Sequence, residues 1–164
     1  MNFLLAFGIV GIGIYFLLFI VPKWASASEK PSPTIDILIS RASIKHGVET
    51  ALIKAIIRQE SNFNPNAINP TDPSYGLMQV GLMVAQDYGL VKDYRSPTLF
   101  EKNLLLVPET NIDIGTWHLS KLLSRYVFDI AVQMYNLGEA KYGYGFRSPE
   151  YLEAVRGYYN VYKN

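Results

Sequence analysis

The chain has 164 residues, 49% apolar and 18% charged, with a formal net charge of +1 and no cysteine. That length and composition suit one packed domain with an appendage and exclude general disorder. Without cysteine there is no disulfide, thiolate nucleophile or thiolate metal site. Lys23 is the only charged side chain before Glu29, so the remainder balances basic against acidic residues and shows no electrostatic footprint for nucleic acid.

In chain order, the first element is the run FLLAFGIVGIGIYFLLFIV from Phe3 to Val21, without one charge. As a helix it would span about 28 Å, close to the thickness of a bilayer's hydrocarbon core. Residues 1–22 are therefore expected to be a transmembrane anchor or signal-anchor, with Lys23 and Trp24 at the interface. A cleaved signal is the alternative, because Ala25-x-Ala27 offers a small-residue cleavage pattern. Residues 23–33, rich in Ser, Ala and Pro, read as a linker, and residues 34–164 as the domain. Lys23 favours retention of that flank in the cytoplasm, whereas the chemistry developed below needs it on the wall side.

The domain reads as mostly helical. Thr34 can cap a helix with Ile35, Leu38, Ile39 and Ala42 on its apolar face and Gly47 as its stop. A second helix runs from about Glu49 to Ser61. NPTDPSYG, residues 69–76, is turn-rich and should be irregular or a small hairpin. Helices are expected from about 80 to 88, 108 to 124, 128 to 136 and 149 to 162. No segment shows the alternation of a long strand.

One position breaks its own pattern. Leu52, Ile53, Ile56 and Ile57 form an apolar stripe, and the next steps along it, four after Ile56 and three after Ile57, both land on Glu60. A carboxyl group continuing an apolar face loses solvation, and its pKa rises. A carboxylic acid still protonated near neutral pH is what glycoside cleavage requires, because the leaving oxygen must receive a proton. On spacing alone, Glu60 ending its helix and reaching solvent or an arginine is an equally open reading.

The surrounding residues resemble the lytic transglycosylase family of soluble type. GVETALIKAIIRQESNFNPNA is similar to its first motif, with Glu60-Ser61 at the catalytic Glu-Ser pair. YGLMQV resembles the Gly-Leu-Met-Gln strip, VPETNIDIGTWHLSKLL the Pro-Glu-x-Asn-x-x-x-Gly helix, and AVQMYNLG the Ala-Tyr-Asn-x-Gly motif. YLEAVRGYYNVY resembles the closing helix, led by Tyr151. The blocks stand in order over roughly residues 40–160. The resemblance implies a mainly α, lysozyme-like fold (of the α+β lysozyme superfamily) in a single domain, here preceded by the transmembrane helix. It implies Glu60 as catalytic acid and base, with Ser61, Gly76, Gln79, Tyr135, Asn136 and Tyr151 binding substrate. Three positions depart from the pattern: Met134 replaces an alanine, Gly81-Leu82 replaces Met-Pro, and Arg147 replaces a glutamate, with Glu150 beside Tyr151.

Other chemistries find little support. His46 and His118 match no metal spacing, there is no Gly-x-Ser-x-Gly elbow, and no cofactor or metal is expected. Arg58, Lys54 and Asp113 read as solvated helix faces. Tyr142, Tyr144 and Phe146, interleaved with glycines, suit either sugar stacking or a packed turn. Ordinary glycosidases use two carboxylates, but only Asp72 in the turn-rich segment is a candidate for the second. With one acid the substrate must supply the nucleophile, its own C6 hydroxyl, which proximity favours. The expected function is cleavage of the MurNAc-β-1,4-GlcNAc bond of peptidoglycan with formation of 1,6-anhydroMurNAc. The expected partners are glycan strands, the membrane through residues 3–21, and a phage entry or secretion/conjugation complex. The alternatives are a hydrolytic goose-type muramidase, favoured if Asp72 faces Glu60, and a non-catalytic glycan-binding assembly component.

Overall fold

Apolar spacing at the head of the domain folds as helix. In the computed structural model, which describes residues 33–164, α1 (Ile35–His46) buries Leu38, Ile39 and Ala42. It stops at Gly47, whose φ of 69° suits a residue without a Cβ and lets its N–H reach Ser43 O at 2.8 Å. Helix α2 (Thr50–Ser61) buries Ala51, Leu52, Ile53, Ala55, Ile56 and Ile57, the stripe read from the sequence. It ends on two successive left-handed residues, Asn62 (φ 52°) and Phe63 (φ 63°). Asparagine tolerates that conformation, whereas for phenylalanine it is strained. The Phe63 ring packs edge-on against Tyr162, centroids 6.5 Å apart, which helps hold it there.

The turn-rich segment forms a three-stranded antiparallel sheet of two-residue strands: β1 (Ile68–Asn69), β2 (Ser74–Tyr75) and β3 (Val80–Gly81). Ile68 lies opposite Tyr75, and Tyr75 opposite Val80. The helix expected from about residue 80 starts later, as α3 (Leu82–Tyr88), because Val80 and Gly81 pair with β2 first. Two short helices were not foreseen: α4 (Leu99–Leu104) and, further on, α7 (Glu139–Gly143), neither of which buries a side chain. Helices α5 (Pro108–Arg125), α6 (Phe128–Leu137) and α8 (Pro149–Lys163) lie close to their expected bounds.

Packing pairs α2 with α8, α1 with α5, and α5 with α6. Ile53, Ile56, Ile57, Leu77, Met78, Ile112, Ile114, Leu119 and Val132 are fully buried in the core between them. Thr34–Asn164 form one compact unit.

The fold class expected from the sequence needs a correction. No helix among the described residues is long and apolar enough to cross a membrane, and the Phe3–Val21 run on which the spanning helix was placed lies outside the described residues. The longest described helix, α5, carries Glu109, Asp113, Lys121 and Arg125 between its buried positions; its period serves a core face, not a lipid-facing surface. Over the described residues the fold is the mainly helical domain with its small sheet, and no transmembrane helix is among them.

Candidate active site

Packing of α2 on α8 brings together two side chains 91 residues apart: Tyr151 Oη, in the first turn of α8, donates to Glu60 Oε1 at 2.5 Å. Tyr151 is buried, whereas Glu60 keeps part of its surface open to solvent with dense protein around its carboxyl group. That surrounding raises the Glu60 pKa from 4.5 to about 7, with burial as the larger effect and the Tyr151 hydrogen bond opposing it. No neighbouring carboxylate contributes to the shift. Burial, and then the charge of Glu60, push the Tyr151 and Tyr135 hydroxyls well above 10, so both remain hydrogen-bond donors.

Beside the acid runs Gly76–Gln79, the connection between β2 and β3, and helices on three sides hold its backbone. Ser61 Oγ, next to Glu60, donates to Leu77 O at 2.8 Å as well as to Ile57 O at 3.2 Å. Tyr135 Oη, from α6, donates to Met78 O at 2.9 Å. Asn111, from α5 and fully buried, accepts from Met78 N at 2.7 Å and donates to Tyr75 O and Leu105 O, both at 2.7 Å. Gln79 Nε2 donates to Gly76 O at 2.9 Å and Ala67 O at 3.2 Å, while its Oε1 accepts from Ser74 Oγ at 3.0 Å. A buried connection without ladder partners must satisfy its peptide groups elsewhere, and these side chains meet that need. Gln79 itself sits at φ 46°, a strained value of the kind that collects at functional sites.

Gly76 answers a steric demand. Its φ is 73°, and a Cβ there would lie 2.5 Å from Asn111 Nδ2 and 2.7 Å from Leu105 O. Gly115 does the same on α5, where a Cβ would fall 2.7 Å from Met78 and 3.0 Å from Tyr135 Oη. The expected substrate-facing residues thus divide. Tyr151 touches Glu60. Ser61, Gly76, Gln79 and Tyr135 have their polar atoms or their space committed to the strip. Asn136 is exposed on α6 and hydrogen-bonds to neither.

Asn111 is the site residue that reading the sequence did not single out. Its signal was present: it interrupts the buried face of α5 just before Ile112 and Ile114, and a buried amide needs partners. Asp113, read as a solvated face, is instead a half-buried hub. It accepts from Lys45 Nζ at 2.7 and 2.9 Å, pairs with His46 Nε2 at 2.7 Å, and receives the Tyr88 hydroxyl. Burial alone would raise its pKa; the bonds from Lys45, Tyr88 and His46 outweigh that and lower it. The hub borders a pocket of about 410 Å³ lined also by Leu38, Arg41 and Glu109, and no residue contacting Glu60 lines it. His118, half-buried against Tyr135 with ring centroids 5.6 Å apart, has its pKa lowered to about 4, chiefly by desolvation. Asp72 is 82% exposed and faces Lys141 Nζ at 3.7 Å. Among the described residues no three His, Asp or Glu side chains cluster to hold a metal ion.

A carboxyl group carried by a helix end to the margin of the core, above a small antiparallel sheet, places the chain among lysozyme-like domains. More narrowly, it belongs to the family described as the transglycosylase SLT domain, which matches residues 37–152. It is 43% identical over 94 residues to the membrane-bound lytic murein transglycosylase C of Photorhabdus laumondii, covering 57% of this chain and 26% of that protein. The protein of the same description from Serratia proteamaculans is 40% identical over 95 residues, covering 55% and 25%. The chain thus spans about a quarter of the length of the curated relatives it matches. Among solved structures, an inactive mutant of the lytic transglycosylase Slt from Pseudomonas aeruginosa superposes with a TM-score of 0.61 at 23% identity, covering 77% of this chain and 23% of the other. The 70 kDa soluble lytic transglycosylase of Escherichia coli gives 0.51 at 27% identity, covering 74% and 18%.

Proposed function

We propose that residues 34–164 form a peptidoglycan lytic transglycosylase domain that cleaves the MurNAc-β-1,4-GlcNAc bond with Glu60 as its single acid and base. The observation that carries this reading is the lone, desolvated carboxyl group of Glu60, its pKa near 7 and held by Tyr151. Protonated Glu60 gives its proton to the glycosidic oxygen as the C1–O bond breaks. The muramic C1, stabilised as an oxocarbenium or by the sugar's N-acetyl group, is then attacked by its own C6 hydroxyl. The hydroxyl proton passes to the Glu60 carboxylate, the C1–O6 bond forms, and no water is consumed. Effective molarities of well-oriented internal nucleophiles exceed that of bulk water, about 55 M, by orders of magnitude.

Tyr151 orients Glu60 in this scheme. Asn136 presents an exposed amide to the sugar, and Ser61, Gly76, Gln79 and Tyr135 shape the wall against which it lies. Membrane association is carried over from the relatives described as membrane-bound, and the place of the domain on the wall side follows from its glycan substrate. We assign the enzyme to local wall opening, for a phage entering its host or for a secretion or conjugation machine. The hydrolytic reading needs a second carboxylate near Glu60, and Asp72 lies out on the surface against Lys141.

The test is product analysis of digested sacculi by chromatography with mass detection. Muropeptides ending in 1,6-anhydroMurNAc are expected. Products heavier by one water, with a free reducing end, would transfer the assignment to a muramidase. No cleavage at all would leave the glycan-binding component standing.

A further inference from the structure

Arg147 stands where the resemblance leads one to expect a glutamate, and no role above uses it. The side chain is exposed, in the loop between α7 and α8, yet it is not free to wander. Nη1 donates to Tyr142 O at 2.9 Å and to Phe146 O at 2.7 Å, and Cζ lies 3.9 Å from the centroid of the Tyr142 ring. Two carbonyls and an aromatic face therefore fix the plane of the guanidinium. Nε and Nη2 make no hydrogen bond among the described residues, and no carboxylate there forms an ion pair with Arg147, neighbouring Glu150 included. A pre-organised fork edge is left open, the geometry that carboxylates fit.

One neighbour points the same way. The head of α8, a helix of 15 residues, favours negative charge. Tyr151, which holds Glu60, is one helical turn further on. Arg147 does not figure among the causes of the Glu60 shift, so it stands clear of the acid.

We propose that Arg147, just before the head of α8, binds a carboxylate carried on the lactyl-peptide arm of muramic acid, so that the domain prefers glycan whose carboxylates are free. This rests on the transglycosylase reading for the identity of the substrate. The shared chemistry has two sources, a carboxylate of the stem peptide or the lactyl carboxylate exposed once the peptide is gone.

The test is binding without turnover. Full-chain protein carrying Glu60→Gln, alone and combined with Arg147→Lys, Arg147→Gln or Arg147→Glu, is sedimented with three materials. These are native sacculi, sacculi whose carboxylates have been converted to methylamides, and glycan stripped of peptide by an amidase. Thermal melts confirm that each variant is folded. On native sacculi, affinity should fall in the order Arg, Lys, Gln, Glu, by about tenfold from Arg to Gln, the loss of one charge-assisted contact. On methylamidated sacculi the four proteins should bind alike. Persistence of the order on stripped glycan assigns the lactyl carboxylate, and its disappearance assigns the peptide. Equal losses on native and methylamidated sacculi would show that Arg147 only braces its loop and would overturn the proposal. So would equal binding by all four proteins on native sacculi and on stripped glycan alike, or no binding by any. Because nothing is cleaved, the order can stand even if the wild-type chain yields no anhydromuropeptide, so the two readings fail separately.

Discussion

At the residue scale, Glu60 sits between two opposing demands. Burial favours its protonated form, and the Tyr151 hydroxyl favours its charged form; the balance leaves it titrating near neutrality, where it can both give and take a proton. Glu60→Gln keeps the shape and loses the proton, so turbidity clearance of sacculi should drop to background, below about a thousandth of wild type, with the melting temperature retained. Protonated Glu60 starts the reaction, so the alkaline limb of kcat/KM should fall as pH rises through about 7. Tyr151→Phe removes the bond that lowers the pKa. Its alkaline limb should therefore move to higher pH even as the maximal rate declines. A limb that stays in place or moves down would show that the hydroxyl does not act on the acid.

At the scale of elements, the Gly76–Gln79 strip is where α2, α5 and α6 meet. At full burial Asn111 makes three bonds, to Met78 N in the strip and to Tyr75 O and Leu105 O beside it, and removing it strands one N–H and two carbonyls. Asn111→Ala should therefore cost on the order of 3–5 kcal/mol in denaturant unfolding. Gly76→Ala, which forces a Cβ into the Asn111 amide at positive φ, should also destabilise, by about 1–3 kcal/mol. The long helices were legible in the sequence because their buried faces repeat at helical spacing, and Glu60 because it interrupts that repeat. Helices α4 and α7 bury nothing and leave no repeat to read. Yet Thr98 and Glu101 do form a capping box at α4, with Glu101 N on Thr98 Oγ1 at 3.2 Å, and T-x-x-E is visible in the chain. Tyr151 was named only through the family resemblance, and Asn111 not at all. Tyr151 and Asn111 meet the site across distances in sequence that no local pattern encodes. That Ser61, Gln79 and Tyr135 also hold backbone carbonyls shows only in the folded chain.

For the whole molecule, the acid is a liability as pH rises. Its folded pKa lies above its ordinary 4.5, so its favourable contribution is fully present below about 4.5 and lost as pH climbs through about 7. The melting temperature of wild type relative to Glu60→Gln should thus decline between pH 5 and pH 8. A difference that is flat across that range would mean the carboxyl group is better hydrated than its surroundings imply.

The carbonyls of Gly76, Leu77 and Met78 are held by side chains from three separate segments of the chain, and this ties the site to the slowest motions of the domain. Met78 N–H, closed by Asn111 Oδ1, cannot meet solvent through local fraying, because no single helix end releases it. In deuterium exchange it should behave as a globally protected amide, opening only when the whole domain unfolds. The amides of exposed α4 and α7, by contrast, should exchange through local opening.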